Sequence, residues 1–502
     1  MRGGRGPGRP GSAGRGSTGA GRAGASMYDL VVIGGGSGGL NVAGAAAAVG
    51  AKVALIEADR LGGECTFTAC VPSKALLHAA DLAHRIRSAD RFGIAVAPPE
   101  IDFSRVMGRV RSVVESFAGS DVEAMRSRGV EVRYGRAAFE AYDSVVVDGS
   151  ARVNGRSFVI ATGSRPALPP IEGLEAASPL TNETIWSLET RPDSMAVIGA
   201  GAAGLELGQA MARLGVAVTI LESAPRILPG EDPEASDQLR AALEAEGIQV
   251  FTDVEITRVE PRDGMKVVRF VDRRSGEEME AVRDALLVAA GRRANVDGLN
   301  LEAVGIEADP DRGIPVDEYL QTRARNIYAI GDVIGHHQWT HAAEREAAVA
   351  FVNAVLGIPR KIDYTAIPRA SYTDPEVASV GRTAGLDPAE GARIFRVAYE
   401  DLDRARIEGR TIGFAKVAAT PSGKILGATI VGDHAALVLQ EFVVAMEQGL
   451  RLPQLVNTVH PYPTHAGLAR ALATQFAATR LESGMTRAAL RLVYGYSPRP
   501  SP

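Results

Sequence analysis

Two cysteines, five residues apart, are the residues of this sequence best suited to redox chemistry. Cys65 and Cys70 are the only cysteines among 502 residues, and they either form a reversible disulfide or remain ordinary buried thiols. Residues five apart in a regular helix are displaced by about 7.5 Å along its axis, whereas a disulfide needs Cα atoms about 4.4–6.8 Å apart. If the two pair, Cys65 must precede a regular helix, where Gly62 and Gly63 let the chain bend, and Cys70 must lie in its first turn. The helix N-terminus and Lys74 would then lower a thiol pKa, as reversible thiol chemistry requires.

A glycine-rich motif before the cysteines has the spacing of a dinucleotide-binding turn. A β-branched run (YDLVVI) leads into GGGSGG, which begins at Gly34, then into a small-residue helix and a second strand that ends at Glu57. Gly34 permits the tight turn, Gly36 lets a pyrophosphate approach the backbone at a helix N-terminus, and Gly39 allows the helix and strand to pack closely. Glu57 can accept hydrogen bonds from ribose hydroxyls, so the pattern predicts a dinucleotide site.

The same plan recurs in the middle of the chain, where a strand leads into GAGAAG at Gly199 and a second strand ends at Glu222. Gly201 and Gly204 take the places of the second and third glycines. The interval from first glycine to acid is 57 − 34 = 23 residues in the first copy and 222 − 199 = 23 in the second. This equal spacing disfavours the alternative of two glycine-rich turns without a ligand. Because Glu222 would repel a 2′-phosphate, the second site should prefer NADH, although Arg226 leaves NADPH open.

Length and composition limit the remaining classes of function. At roughly 100–200 residues per domain, 502 residues predict about three domains. Lys plus Arg (55) against Asp plus Glu (60) give a net charge of −5, so the chain lacks the basic field that favours nucleic acid or anionic lipid. No apolar run reaches the roughly 18 residues of a membrane-spanning helix. We expect small-molecule or protein partners, no specific nucleic acid, no membrane and, without a targeting signal, a cytoplasmic location.

Both ends of the chain are predicted to lie outside the folded core. Residues 1–26 are almost entirely Gly, Arg, Ala, Ser and Pro, and they lack the apolar side chains that would offset the entropy of ordering. We interpret this arm as disordered, or as sequence upstream of a start at Met27, with weak RNA or membrane contact as the alternative. Residues 483–502, which end in SPRPSP, are predicted to be a flexible, unpacked tail.

From the first glycine motif onwards, the chain resembles the pyridine nucleotide-disulfide oxidoreductases, the family of dihydrolipoyl dehydrogenase, glutathione reductase and mercuric reductase. The resemblance covers residues 27 to about 480 and rests on several motifs in the family's order. These motifs are the two glycine fingerprints, the CxxxxCxPSK segment from Cys65 to Lys74, Ala161-Thr162-Gly163, Gly291-Arg292, Ile330-Gly331-Asp332 and Tyr372-Thr373-Asp374-Pro375-Glu376.

The resemblance implies FAD at the first fingerprint, NADH or NADPH at the second, and a redox-active disulfide between them. Cys70 would be the charge-transfer thiolate beside the flavin, and Cys65 would be the interchange thiol that meets the acceptor. Lys74 would lie by the flavin N5 and pair with Glu206, while a helix that begins at 340–342 would point its positive end at the flavin. The implied cofactor-binding residues are Gly34, Gly36, Gly39, Glu57, Lys74, Ala137, Thr162, Gly163, Asp332, Ala342, Gly199, Gly201, Gly204, Glu206, Glu222 and Gly291. No resident metal ion is implied.

Near the C-terminus the chain departs from the disulfide-reducing members that it resembles. Those members carry a His and, five residues later, a Glu, and this pair from the partner subunit acts as general acid and base. Here, within HPYPTHAG, Tyr462 occupies the His position and Gly467 the Glu position. Because an unperturbed phenol with a pKa near 10 is a poor base at neutral pH, efficient lipoamide or glutathione turnover is not expected unless His460 or His465 substitutes.

Tyrosine at that position is similar to mercuric reductase, whose chemistry places electrons on a metal ion. Mercuric reductases also carry a C-terminal cysteine pair that delivers the metal, and residues 490–502 contain no cysteine. Mercury reduction would proceed through Cys65 and Cys70, aided by Tyr462. We therefore expect an FAD-dependent NAD(P)H oxidoreductase whose acceptor is a soft metal ion such as Hg(II) or another small molecule. A dihydrolipoyl dehydrogenase-like enzyme and a diaphorase-like or non-catalytic FAD scaffold are the alternatives.

The predicted architecture is α/β, with two doubly wound Rossmann-like nucleotide-binding domains and a C-terminal α+β dimerisation domain. Residues 27–180 and 291–359 would form the FAD domain, 181–290 the NAD(P) domain and 360–482 the dimerisation domain. Because the segment around residue 460 would complete the site of the other chain, we expect a homodimer. The predicted catalytic residues are Cys65, Cys70, Lys74, Glu206 and Tyr462.

Overall fold

The computed structural model describes residues 27–386, 391–481 and 484–496. The predicted disordered arm, 1–26, and the end of the predicted tail, 497–502, lie outside the described residues. The strands are β1 (Tyr28–Ile33), β2 (Val53–Glu57), β3 (Glu131–Tyr134), β4 (Ala137–Ala141), β5 (Ser144–Val147), β6 (Ala151–Ile160), β7 (Ser164–Pro166), β8 (Ser194–Ile198), β9 (Ala217–Glu222), β10 (Gln249–Thr252), β11 (Val254–Arg262), β12 (Met265–Asp272), β13 (Glu278–Arg283), β14 (Ala285–Val288), β15 (Arg292–Ala294), β16 (Ile327–Ala329), β17 (Pro368–Ser371), β18 (Glu376–Gly381), β19 (Arg393–Ala398), β20 (Phe414–Ala419) and β21 (Ile425–Gly432). The α-helices are α1 (Ser37–Ala48), α2 (Gly63–Phe67), α3 (Cys70–Arg87), α4 (Phe103–Phe117), α5 (Ser120–Ser127), α6 (Ala202–Arg213), α7 (Pro233–Ala245), α8 (Thr340–Ala354), α9 (Asp403–Glu408), α10 (Ala435–Glu447), α11 (Leu452–Leu455), α12 (Gly467–Leu481) and α13 (Gly484–Tyr494).

The first nucleotide-binding unit is built around a parallel sheet with the strand order β3-β2-β1-β6-β16. Its central strand β1 is almost entirely buried and rich in Val, Leu and Ile, as a strand covered on both faces of a parallel sheet requires. The pairing of β1 with β2 runs from Leu30 opposite Val53 to Ile33 opposite Ile56. The glycine turn after β1 and Glu57 at the end of β2 therefore meet at the carboxyl edge of the sheet, where such sheets bind ligands.

The second nucleotide-binding unit repeats this plan with a parallel sheet of order β10-β9-β8-β14. Beside it lies an antiparallel sheet, β11-β12-β13. This sheet shares a core with the parallel sheet of the same unit through Phe270 of β12 and Ile198 of β8. Leu174 and Ala177 also pack into this core. This core therefore also includes residues that precede 181, the predicted start of the NAD(P) domain.

Helix α3, which carries Cys70 and Lys74, is held between the two units. Its Leu76 is fully buried and shares a core with Met107 of α4 and Leu205 of α6. Close packing of this kind is sensitive to single methylene changes, so it fixes the position of α3 tightly. The cysteine segment consequently has a defined place relative to both glycine turns.

The C-terminal unit is a five-stranded antiparallel sheet with the order β17-β18-β21-β20-β19. Helices α10 and α12 cover the sheet, and Phe442 and Leu472 bury their side chains in the shared core. Two doubly wound α/β units followed by an α+β unit are the predicted fold class, which is confirmed.

Within the predicted unpacked tail, the structure contains helix α13 over residues 484–494. This segment is rich in Ala, Leu, Met and Arg, which are strong helix formers, and it has neither Gly nor Pro after its first residue. Part of the predicted tail is therefore helical, and the prediction that the tail does not pack on the core stays a prediction. Leu492 and Val493 at the end of the helix remain exposed.

Among the described residues, no helix is both long and apolar enough to cross a membrane.

Candidate active site and nucleotide-binding turns

The first glycine turn leaves open space at the position where the sequence predicts a phosphate. Gly34 has a φ of +104°, and a Cβ on Gly39 would come within 1.9 Å of the Gly34 carbonyl oxygen. A Cβ on Gly36, by contrast, would meet no atom nearer than 3.9 Å, and Gly36 is the N-cap of α1. Gly34 and Gly39 shape the turn, while Gly36 opens a helix N-terminus that favours an anion.

The second glycine turn has the same geometry. Gly199 has a φ of +103°, and a Cβ on Gly204 would come within 2.1 Å of the Gly199 carbonyl oxygen. A Cβ on Gly201, the N-cap of α6, would meet nothing within 4 Å. The same cradle therefore occurs twice, and its donors fit the pyrophosphates of two dinucleotides.

The two predicted acids also occupy equivalent positions. The Glu57 Oε2 accepts a 2.7 Å hydrogen bond from the Gly35 N–H, and the Glu222 Oε2 accepts a 2.6 Å hydrogen bond from the Ala200 N–H. Each carboxylate is thus fixed against its own glycine turn. The sequence spacing of 23 residues corresponds to a repeated three-dimensional arrangement.

One cavity of about 1200 Å³ joins both glycine turns to the cysteines. The predicted site residues that line this cavity are Gly34, Gly36, Glu57, Cys65, Cys70, Lys74, Thr162, Gly163, Gly201, Glu206, Gly291 and Asp332. The predicted residues outside its lining are Gly39, Ala137, Ala342, Gly199, Gly204, Glu222 and Tyr462. The volume exceeds the roughly 300–1,000 Å³ of a usual small-molecule pocket, so the residues present fit a group as large as FAD.

The two cysteines lie on either side of a break between two helices. Cys65 is in the one-turn helix α2, and Cys70 is the first residue of α3. Both are half-buried free thiols, and the Cys65 thiol is hydrogen-bonded to Cys70. This is the geometry that pairing requires, with Cys65 before the long helix and Cys70 in its first turn.

The surroundings of the two thiols differ. The hydrogen bond from Cys65 lowers the pKa of the Cys70 thiol to about 6, with further help from the Thr340 hydroxyl and the Lys74 ammonium group. The Cys70 Sγ lies 3.4 Å from the Thr340 Oγ1. The hydrogen bond with Cys70 and burial raise the pKa of Cys65. In the reduced protein, therefore, Cys70 carries the negative charge at neutral pH.

An ion pair connects the cysteine helix with the second glycine motif. The Lys74 Nζ lies 2.7 Å from the Glu206 Oε2, and the Glu206 side chain is only 5% exposed. The other Glu206 oxygen accepts a 2.9 Å hydrogen bond from the Tyr372 N–H, and the Lys74 Nζ lies 4.5 Å from the centre of the Tyr372 ring. The resemblance to the family implies this pair, whereas no sequence pattern indicates that Tyr372 fixes it.

A polar network next to Cys65 was also missed. Glu64 forms an ion pair with Arg292 and accepts a hydrogen bond from the Asn182 amide. The Arg292 Nε lies 2.8 Å from the Ser164 hydroxyl and 3.3 Å from the Asp332 carboxylate. The sequence signal was the acidic residue directly before Cys65, but its partner stands 228 residues away.

The predicted catalytic Tyr462 lies away from the cysteine cavity within one chain. Its side chain is 81% exposed, and its hydroxyl donates a 3.0 Å hydrogen bond to Asp403, which raises the pKa of Tyr462. The His460 Nε2 lies 2.9 Å from Glu441. His465 is buried, and this burial lowers its pKa. One chain therefore does not bring any of these three side chains to its own cysteines.

Comparison with known proteins places these observations in a family. Residues 28–347 match the family described as pyridine nucleotide-disulphide oxidoreductase, and residues 367–472 match the dimerisation domain of that family. This chain is a pyridine nucleotide-disulphide oxidoreductase. The predicted family is confirmed, and the match to the dimerisation domain supports the predicted homodimer.

Individual relatives of this oxidoreductase fall into different enzyme classes. It is 33% identical over 458 residues to a dihydrolipoyl dehydrogenase of Bacillus subtilis (strain 168), and the alignment covers 88% of this chain and 96% of the relative. It is 35% identical over 458 residues to a mercuric reductase of Streptomyces lividans, and the alignment covers 89% of this chain and 96% of the relative. Its fold is similar to the Cu(II) complex of the HOCl-induced flavoprotein disulfide reductase RclA from Escherichia coli, with a TM-score of 0.80 and 26% identity over 90% of this chain and 99% of that chain.

These relationships establish the general chemistry of the protein. It is a flavin-dependent disulfide oxidoreductase that uses FAD and NAD(P)H. Identities of 33% and 35% to enzymes of two classes do not select the electron acceptor.

A buried carboxyl group behind the site, absent from the sequence predictions, holds the loop that carries Asp332. Glu346 of α8 is 1% exposed, accepts a 2.6 Å hydrogen bond from the Gly331 N–H and accepts a 2.8 Å hydrogen bond from the Tyr364 hydroxyl. Burial raises the pKa of Glu346 to about 7. The group therefore changes charge near neutral pH in the folded oxidoreductase.

We expect Glu346 to make the stability of the oxidoreductase depend on pH. Its pKa rises from 4.5 to about 7 on folding, so the folded state binds the proton more tightly and this contribution is lost as pH rises through 7. The loss is about 3 kcal/mol between pH 4.5 and 8. Chemical denaturation of the FAD-loaded protein at several pH values should show a flatter profile for Glu346→Gln than for wild type. Glu344→Gln, an exposed change on the same helix, should keep the wild-type slope, and equal slopes for all three proteins would contradict the prediction.

Proposed function

We propose that this oxidoreductase transfers electrons from NADH through Cys65 and Cys70 to a soft metal ion such as Hg(II) or to another small acceptor. The C-terminal segment supports this choice most directly, because Tyr462 and Gly467 stand where a His–Glu acid–base pair would be needed. The hydrogen bond from the Tyr462 hydroxyl to Asp403 raises the pKa of Tyr462, so even less phenolate is available to act as a base at neutral pH. Reduction of a disulfide needs a proton delivered to the leaving thiol, whereas reduction of a thiolate-bound ion does not.

The two cysteines supply the chemistry that a soft ion requires. Thiolates bind soft metal ions strongly, and Cys65 and Cys70 are hydrogen-bonded neighbours that could ligate one ion together. Because of its low pKa, Cys70 is already a thiolate at neutral pH, so binding of the ion releases only the Cys65 proton. In the complete reaction NADH loses a hydride, Hg(II) gains two electrons to become Hg(0), and one proton is released.

The remaining site residues bind and orient the cofactors. When bound, FAD supplies the two-electron carrier between NADH and the cysteine pair. The first glycine turn with Glu57, together with Thr162, Gly163 and Asp332, would hold it. Lys74 provides a cation in the same cavity, and Glu206 fixes the position of that cation.

In a homodimer, the exposed segment around Tyr462 would lie against the cysteines of the other chain. Val459 and Tyr462 are 90% and 81% exposed, which is unusual for apolar and aromatic side chains and typical of an interface. Tyr462 of the partner subunit would then border the cavity that holds Cys65. Its hydroxyl can orient an acceptor without acting as a base.

A dihydrolipoyl dehydrogenase-like activity is the second candidate, and one contact favours it. His460 and Glu441 form a histidine–carboxylate pair at 2.9 Å, two residues before Tyr462. Such a pair can act as a general base if it reaches the acceptor of the other chain. In the single chain the His460 side chain is only 9% exposed, which opposes this role.

Parallel assays of two acceptors test the proposed function. NADH oxidation by the FAD-loaded protein is measured with thiol-buffered Hg(II) in one cuvette and with lipoamide in the other. We expect turnover with Hg(II) and little with lipoamide. Lipoamide turnover that is lost in His460→Gln but kept in Tyr462→Phe would instead assign the second candidate function.

The second nucleotide site should prefer NADH over NADPH. The Glu222 carboxylate is fixed by N–H groups of Ala200 and Ala224 at 2.6 and 2.8 Å, where it would repel a 2′-phosphate. Arg226 and Arg240 lie nearby but already face the carboxylates of Asp237 and Glu244. We expect kcat/KM to be at least about tenfold higher for NADH, and Glu222→Gln to reduce this ratio about tenfold. An unchanged ratio in the variant would show that Glu222 does not set the preference.

A further inference from the structure

We propose that Glu408, Asp433 and His465 form a binding site for a divalent transition-metal ion, with Zn(II) as the best-suited ion. One ligand atom of each residue lies within 4.8 Å of the other two. The three residues come from separate parts of the C-terminal unit: the end of α9, the residue after β21 and the turn before α12. This site is separate from the cysteine cavity, whose lining contains none of them.

The strongest indication is a buried imidazole nitrogen that faces a buried carboxylate oxygen without a hydrogen bond. The His465 side chain is 8% exposed. Its Nε2 and the Glu408 Oε2 are each fully buried, and neither has a hydrogen-bond partner among the described residues. Buried polar groups are normally paired, because leaving each one unpaired costs about 1–3 kcal/mol. This pair of atoms therefore needs a further partner.

The separation of the two atoms fits two ligands of one zinc ion. The His465 Nε2 and the Glu408 Oε2 are 3.4 Å apart, which is longer than the roughly 2.7–3.2 Å of a normal N–H···O hydrogen bond. Two ligands that each lie about 2.0–2.2 Å from a tetrahedral zinc are separated by about 3.4 Å. The Asp433 carboxylate lies within 4.8 Å of both atoms and would supply the third ligand.

Neighbouring charges favour zinc over a hard cation. The Arg404 Nε donates to the Glu408 Oε1 at 2.7 Å, and the Arg410 Nε lies 3.0 Å from the Asp433 Oδ2. These contacts orient the carboxylates, as outer-shell partners of metal ligands do, but they also offset both negative charges. Ca(II) and Mg(II) take oxygen ligands, and the carboxylates present here already have their charge offset. Zn(II) also binds imidazole nitrogen, which His465 supplies.

The site would hold the segment that carries Tyr462. Helix α9 contacts this segment twice, through Asp403 with the Tyr462 hydroxyl at 3.0 Å and through Glu408 with His465 at 3.4 Å. A bound ion would convert the second contact into coordinate bonds. The ion would thus position the exposed tyrosine without touching the acceptor.

Co(II) titration of the full-length, FAD-loaded protein tests this site, because tetrahedral Co(II) absorbs visible light and Zn(II) should displace it. The protein is kept oxidised, so that Cys65 and Cys70 do not offer thiolates. We expect one Co(II) per chain, and His465→Asn should weaken binding on the order of 100-fold or more. Glu408→Gln provides the same test if the histidine variant does not fold, since its amide oxygen can still accept from Arg404. His460→Gln, a change in the same segment outside the cluster, should bind as tightly as wild type.

Three results would overturn the proposal. These are no saturable binding of Co(II) or Zn(II) to the wild-type protein, undiminished binding to both cluster variants, and an equal loss of binding in His460→Gln. In the first case the polar atoms of Glu408 and His465 would be satisfied by water alone. Conversely, slower amide hydrogen exchange across residues 458–467 on addition of Zn(II) would support the positioning role.

Discussion

Replacing Cys65 by serine is expected to abolish electron transfer to the acceptor while bound FAD is still reduced by NADH. Cys70 has the lowered pKa and contacts Thr340, so we propose it as the inner thiol of the pair. Cys65 has the raised pKa and lies on the separate helix α2, where it would meet the acceptor. A serine hydroxyl neither binds a soft metal ion strongly nor forms a disulfide, so both candidate acceptor reactions need this sulfur.

Steady-state turnover with Hg(II) should fall by roughly a thousandfold or more in Cys65→Ser, as is usual when a covalent or ligating group is removed. Stopped-flow reduction of FAD by NADH should change by about twofold at most. Thr66→Ser is the matched control, because it alters the neighbouring residue of α2 and keeps the hydroxyl that donates to Gly62. If Cys65→Ser still turned over, the acceptor would take electrons directly from the flavin, as quinones often do.

The parts of this molecule that could be predicted from sequence are those in which a local pattern dictates a local geometry. A glycine at the third fingerprint position is required because a Cβ on Gly39 or Gly204 would overlap a backbone oxygen. The helix break between Cys65 and Cys70 follows from the rise of a helix and the reach of a disulfide. Both constraints act within a few residues, so the chain order alone reveals them.

Contacts between distant segments could not be predicted in this way. Glu346 is one of several acidic residues in helices, and only the folded chain places it between Gly331 and Tyr364. Arg292 reaches Glu64 across 228 residues, and no spacing rule connects them. Contacts of this kind are set by the packing of the whole fold. They occur at no fixed sequence interval, so a single sequence does not reveal them.

Tyr462 in the C-terminal segment could be located in its motif from sequence, but its contacts could not be predicted. Sequence comparison by position placed Tyr462 and Gly467 where a catalytic dyad stands in relatives, yet one chain leaves Tyr462 81% exposed on its surface. In the proposed dimer, the remaining contacts of Tyr462 would come from the other copy of the chain. Its role therefore depends on assembly as well as on fold.

Opposite charges in the cysteine cavity should shift the ionisation of Cys70 in opposite directions. The Lys74 ammonium group lowers the pKa of Cys70, while the Glu206 carboxylate raises it. In Lys74→Met the pKa of Cys70 should therefore rise, and in Glu206→Gln it should fall.

We expect the Cys70 thiolate beside bound FAD to give a long-wavelength absorbance in the two-electron-reduced enzyme, and this absorbance would measure both shifts. In wild type this absorbance should persist at pH 7 and disappear as pH falls through about 6. Lys74→Met should lose it at a higher pH, and FAD reduction by NADH should slow on the order of 100-fold, since a preorganised cation has been removed. Glu206→Gln keeps a group of the same shape, so a downward shift in this variant would exclude a loss of packing as the cause. Titration midpoints that moved in the same direction in both variants would mean that the pair acts through the position of α3 and not through its charges.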